Sequence, residues 1–182
     1  MQTQASGFIE LSAGSIHYLS SGMGDKLLLA FHGYGNSATI FQPFVRYFEK
    51  EFTIISIDLP FHGKSHWKAG ALFTRADLNQ LVTELLAIYH KKQCSLIGYS
   101  MGGRVCLTIL ELMPANVERC LLIAPDGLVF NPLYYFVTRT FLGKRVFRKF
   151  LTEPKRYMNL IEWLRRKEWL DPSRYRFAMY YL

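Results

Sequence analysis

The chain has 182 residues, of which 50% are hydrophobic, 15% aromatic and 20% charged. A chain of this length buries about 70% of its unfolded surface, and high apolar content without low-complexity tracts excludes disorder. The longest apolar runs, such as Leu27 to Phe31, are strand-length, far short of the about 18 residues of a membrane-spanning helix. With no basic and apolar leader at the start, the expectation is a cytoplasmic protein.

The net charge of +8 is unevenly spread. Residues 1–126 hold ten basic and ten acidic side chains, whereas residues 127–182 hold twelve and four. Cys94, Cys106 and Cys120 each sit in an apolar run and read as buried reduced thiols. No Cys/His spacing suggests a metal site.

In chain order, Phe8–Leu11 and Ile16–Leu19 read as two strands around Ala13-Gly14, a hairpin. Lys26–Phe31 is a continuous apolar strand ending at His32-Gly33. Ile40, Phe41, Phe44, Val45 and Phe48 at helical spacing predict a helix from Thr39 to Glu49. Phe52–Asp58 is a strand that stops at Pro60, and Leu78, Leu81, Val82, Leu85, Leu86 and Tyr89 mark an amphipathic helix over 75–90. Strand Cys94–Tyr99, helix Gly102–Leu112 and strand Arg119–Ala124 complete the series. Six strands, most apolar on both faces and separated by helices, predict an α/β fold: a mostly parallel sheet covered by helices on both sides, with an antiparallel edge at the start.

After Asp126-Gly127 the strand signals stop. Residues 127–182 carry half of the chain's aromatic residues and all of its excess charge. Leu133, Phe136, Val137 and Phe141 suggest short amphipathic helices, and Pro132, Pro154 and Pro172 mark helix starts. The chain thus divides into a core, 1–126, and a helical cap, 127–182. Anionic substrates and a membrane surface are each compatible with so basic a cap, but the plainest reading is a solvated basic face. No nucleic-acid motif is present.

Three segments carry chemistry. Gly98-Tyr99-Ser100-Met101-Gly102 follows a buried strand and opens a helix, the setting a nucleophile elbow requires. A serine on so sharp a turn is held in strained backbone with its Oγ projecting from the sheet, while the flanking glycines let neighbouring backbone pass. Phe31-His32-Gly33-Tyr34-Gly35 follows the third strand, where a backbone N–H can join that of the residue after the serine in a two-donor oxyanion hole. Asp58-Leu59-Pro60-Phe61-His62-Gly63-Lys64-Ser65 follows the fourth.

Together these segments, in this order and at these strand ends, resemble the α/β-hydrolase superfamily over roughly residues 8–126. The resemblance implies a sheet of eight strands, six of them present here, with a helical cap inserted after the sixth. It implies Ser100 as nucleophile and the Tyr34 and Met101 amides as oxyanion hole. It makes His32 and His62 loop-structuring residues, with direct substrate contact by His32 as a further expectation. Phe61 stands where the family usually has glycine. Asp126 follows the sixth strand, a position some members use for the triad acid. The triad runs serine, acid, histidine along the chain, yet His17, His32, His62, His66 and His90 all precede Ser100. The expectation is therefore an N-terminal portion ending after the cap, nearly inactive alone and prone to self-association through its last strand.

The function expected is hydrolysis of a carboxylic ester or similar small acyl substrate through an acyl-enzyme, with no cofactor or metal. Two alternatives remain open. The stretch Gly98–Arg104, in which Arg104 falls one helical turn beyond Ser100 and could meet a substrate carboxylate, is with the basic cap similar to the menaquinone-pathway lyases of this fold that eliminate pyruvate. A non-catalytic binding protein on the same fold is the other.

Overall fold

The computed structural model describes residues 5–126, 135–136, 139–152, 162–163 and 165–167. The chain forms two compact units, Met1–Leu128 and Val129–Leu182. The first is built on a sheet of β1 (Ala5–Leu11), β2 (Gly14–Ser21), β3 (Lys26–Phe31), β4 (Phe52–Ile57), β5 (His66–Trp67), β6 (Cys94–Tyr99) and β7 (Val117–Ile123). Its helices are α1 (Gln42–Phe48), α2 (Arg75–Ile88) and α3 (Met101–Leu112). The strand order is β1-β2-β4-β3-β6-β7, with β5 paired to β2. β3 runs parallel to β4 and β6, and β6 to β7, while β2 is antiparallel to β1, β4 and β5.

The core follows from strand alternation. Leu27, Leu29 and Phe31 of β3 point to one face and join the main cluster with Leu78, Leu81, Val82 and Leu85 of α2 and Cys106 and Ile109 of α3. Ala30 points to the other face and packs with Phe41 and Ile97, beside Leu28 and Ile40. Both faces of β3 are thus covered, which is why its sequence reads as an unbroken apolar run.

Two details differ from expectation. The described sheet has seven strands rather than six, because the two-residue β5 is too short to show any alternation. The helix expected over Thr39–Glu49 divides into a 3-10 turn, Ala38–Phe41, and α1. Pro43 falls in the first turn of α1, where the donor it lacks has no helical partner. α2 begins at Arg75 on a capping box: Asp77 N–H donates to Thr74 Oγ1 and Thr74 N–H to Asp77 Oδ2.

In the second unit, α4 (Phe141–Thr152) is the described helix. The helix starts at Pro132, Pro154 and Pro172 and the apolar positions Leu133 and Val137 lie outside the described residues. Among the described residues no helix is long and apolar enough to cross a membrane.

Candidate active site

The chain direction of the sheet reverses its order at β3: β4 lies on one side and β6 on the other. Such a switch point opens a crevice at the carboxyl ends of the flanking strands. Phe31 is level with Gly98 in the β3–β6 ladder, so the loops that follow these two strands emerge side by side.

Ser100 alone makes the turn from β6 into α3, with φ 50° and ψ −116°. For a residue with a Cβ, such backbone costs on the order of 1–3 kcal/mol and persists only where its surroundings enforce it. They do so here. Ser100 N–H donates to Ile123 O at 3.0 Å, and Ser100 O accepts from Gly103 N–H at 2.8 Å and Asp126 N–H at 3.1 Å. The flanking glycines are demanded by close approach: a Cβ on Gly102 would lie 1.9 Å from the Phe31 carbonyl oxygen, and one on Gly98 2.5 Å from that of Gly102.

Met101 opens α3, so its amide is among the helix's first four, which lack intrahelical acceptors. The loop bearing Tyr34 lies against the elbow, for a Cβ on Gly33 would sit 3.2 Å from Ser100 Cβ. Tyr34 is exposed, and its ring meets His62 edge-on at 5.6 Å between centroids. His62 braces that loop: Gly35 N–H donates to His62 Nε2 at 3.1 Å, which leaves Nδ1–H to donate to Pro60 O at 2.9 Å.

His32 is fully buried. Leu59 N–H donates to its Nε2 at 3.0 Å, so the proton is on Nδ1, which donates to Gly33 O at 2.7 Å. Burial pushes the imidazole below its ordinary pKa, with His62 adding to that effect and the Gly33 carbonyl and Asp58 opposing it. Both nitrogens are therefore engaged with the protein's own backbone. The expectation of direct substrate contact does not fit this geometry: His32 ties the loop after β3 to the loop after β4.

Sequence reasoning passed over a second buried knot beneath these loops. Asp58, just beyond β4, accepts from Ala38 N–H at 2.6 Å, Lys64 N–H at 2.9 Å and His17 Nδ1–H at 2.8 Å. Burial alone would raise the Asp58 carboxyl, but the Ala38 and Lys64 amides and His17 outweigh it and hold the group below the ordinary carboxylate range. Ser65 Oγ donates to Asp58 O at 2.6 Å and accepts from His17 N–H at 2.9 Å. His17 is buried on β2 and shares its face of the strand with Ser15, Leu19 and Ser21, so no apolar alternation singles it out in the sequence.

Asp126 does reach the elbow: Ser100 Oγ donates to its Oδ2 at 3.2 Å. An acid placed so contacts the serine directly, where a triad acid would contact the histidine. Arg104, with Met101, Val105 and Thr108 of α3 and Phe73 to Arg75 and Leu78 at the start of α2, lines a cavity of about 260 Å³. Cys94 and Cys106 are buried and Cys120 half-buried, all three unbridged, and burial pushes the Cys94 thiol up to about 12. Among the described residues no cluster of His, Cys, Asp or Glu is arranged to hold a metal.

The (E)-2-((N-methylformamido)methylene)succinate hydrolase of Acinetobacter baylyi is 33% identical over 106 residues, which are 57% of this chain and 38% of that protein. The pimeloyl-[acyl-carrier protein] methyl ester esterase of Pseudoalteromonas atlantica is 29% identical over 103 residues, again 57% of this chain and 38% of that protein. The chain thus spans well under half the length of these relatives. Naproxen esterase (carboxylesterase NP) from Bacillus subtilis has a similar fold, with TM-score 0.63 at 23% identity over 75% of this chain and 49% of that one. A family profile described as alpha/beta hydrolase fold matches residues 26–164. With the sheet switching at β3, the elbow after β6 and a match over most of its length, this chain belongs to the α/β-hydrolase fold family.

Proposed function

We propose that the chain carries the nucleophile half of a serine hydrolase site acting on a carboxylic ester or similar small acyl substrate. Ser100 Oγ attacks the carbonyl carbon while its proton passes to a base. The carbonyl oxygen takes the negative charge and is held by the Tyr34 and Met101 amides. Loss of the alcohol leaves an acyl-serine that water then cleaves. The observation that carries this reading is the enforced left-handed backbone at Ser100, strain that a merely structural serine has no need of. The hydrolase and methyl ester esterase named among the relatives support it.

The base and triad acid belong to the whole protein, since all five histidines of this sequence precede Ser100 and the contacts of His17, His32 and His62 above are structural. Loss of a triad histidine costs about 10⁶ in turnover, roughly 8 kcal/mol of transition-state stabilisation. The 182-residue chain alone is therefore expected to turn over activated esters negligibly, and the whole protein to lose turnover on Ser100→Ala. Undiminished hydrolysis by Ser100→Ala in the whole protein would overturn the reading.

A second reading concerns acidic substrates. Arg104 shares its cavity with Met101, whose amide is a proposed oxyanion donor, and one relative is named for a succinate derivative. A guanidinium there pairs with a substrate carboxylate, as a pyruvate-eliminating lyase or an acid-selective esterase would need. Arg104→Gln is expected to lower kcat/KM for carboxylate-bearing substrates and leave neutral esters unchanged; equal loss on both would count against it.

A further inference from the structure

The chemistry at Ser100 uses none of the three cysteines, yet two of them meet in the core. Cys106, in the middle of α3, is fully buried, and a Cβ on Gly98 would sit 2.7 Å from its Sγ, so the thiol is wedged between the helix and β6. Cys120 lies on β7, level with Leu96 of β6. Alternation along β7 turns Cys120 and Leu122 towards the main core cluster and Leu121 and Ile123 to the other side. Cys106 belongs to that same cluster, and its S–H donates to the Cys120 sulfur. The two thiols are not equivalent. Donating the bond and being buried both push Cys106 up, whereas accepting it pulls Cys120 below the ordinary thiol pKa, against the opposing effect of partial burial. Cys120 is also the half-buried one.

We propose that Cys106 and Cys120 form a peroxide-sensitive dithiol site, in which Cys120 is oxidised first and Cys106 then closes an intramolecular disulfide with it. Thiolate character and access together select a reactive cysteine, and Cys120 has both, with a second thiol in contact. The Cys120 thiolate attacks one oxygen of hydrogen peroxide: an S–O bond forms, the O–O bond breaks and hydroxide leaves. The Cys106 sulfur then attacks the sulfenic sulfur. The S–S bond forms, the S–O bond breaks, and the departing hydroxide takes the Cys106 proton as water. Two electrons pass from the sulfurs to the peroxide. Cys94 takes no part, because it is buried at the start of β6 and lacks both thiolate and access. The bridge would tie α3, which Ser100 opens, to β7, whose Ile123 carbonyl fastens the Ser100 amide.

The experiment treats the reduced protein with hydrogen peroxide, quenches with catalase, blocks free thiols with N-ethylmaleimide in guanidinium and maps the tryptic peptides without reduction. Cleavage after Lys92, Arg104, Arg119 and Arg139 puts each cysteine in its own peptide, 93–104, 105–119 and 120–139. Peptides 105–119 and 120–139 are expected to lose their maleimide adducts and to appear joined, while 93–104 keeps its adduct. Cys106→Ala is expected to leave Cys120 as a sulfenic acid that dimedone labels. Cys120→Ser is expected to leave Cys106 reduced after the same treatment, with circular dichroism melts of both variants as folding control. Adducts retained on all three peptides, a bridge that includes Cys94, or covalent dimers in place of the internal bridge overturns the proposal. So does undiminished oxidation of Cys106 in a folded Cys120→Ser variant. The map of the unsubstituted protein decides the matter even where a variant fails to fold, and its thiol readout is independent of whether Ser100 is a nucleophile.

Discussion

At Ser100 the side chain and the backbone make opposite demands, since the φ of 50° disfavours any residue with a Cβ. Ser100→Gly is expected to raise stability by up to about 1 kcal/mol, the relief of strain being partly offset by the freer unfolded chain. A lower urea midpoint for that variant would contradict the strain argument. Gly102 is the converse case. Its missing Cβ leaves room for the Phe31 carbonyl, and neither α3 nor β3 can yield without moving backbone. Gly102→Ala is expected to cost about 3 kcal/mol, the upper end of overpacking, and thus to lower Tm by about 6–12 °C; calorimetry checks it. Phe61 repeats the Ser100 problem without the chemistry. It adopts φ 65° while mostly exposed, so the loop keeps the conformation that the family's usual glycine would adopt without strain.

The loops that carry the site are tied to the sheet by His32 and the His17–Asp58 pair, and both respond to acid in the same direction. Burial holds the His32 pKa below the ordinary value, so the folded state takes up a proton less readily than the unfolded chain. Its contribution is intact above about pH 6.5 and is lost as the pH falls towards the folded pKa. Asp58 is held below the ordinary carboxylate range, so its contribution is present above about pH 4 and is lost as the pH drops through the folded pKa. Urea titrations are expected to show stability declining in two stages on acidification. His32→Gln, less stable throughout, should lack the first stage; an unchanged profile would remove His32 as its source. These ties also mark where the sequence was legible. β3, β4 and β6 announce themselves as apolar runs because helices or turns cover both of their faces. Ser100 stands out because the residues that shape its turn are its neighbours in sequence. The His17–Asp58 contact spans 41 residues and exists only because β2 pairs antiparallel with β4, Tyr18 opposite Ile57. The contact of Asp126 with Ser100 likewise depends on β7 lying beside β6, and no local pattern encodes either.

At the scale of the molecule, β7 pairs with β6 alone among the described residues, and it leaves Leu121 and Ile123 exposed. An unpaired apolar edge is a template for another strand. The 182-residue chain is expected to self-associate with rising concentration in sedimentation velocity, and Leu121→Lys to suppress this. A monodisperse monomer at every concentration would show that the edge is protected.

The β3–β6 ladder has a further consequence. Residues up to 67 hold His17, His32, Tyr34 and Asp58, while residues from 75 onward hold Ser100, Met101 and Asp126. Between them runs a surface segment in which Leu72 is 81% exposed and a Cβ on Gly70 would touch nothing. The proposed site is thus divided between two pieces of sequence, joined covalently by a segment exposed at Gly70 and Leu72 and held to the core at Phe73, and non-covalently by the ladder at its centre. Cut there, the two pieces of the whole protein are expected to be complementing fragments, each without the complete proposed site, and on the reading of Ser100 as nucleophile ester turnover by their mixture would report whether they had found each other.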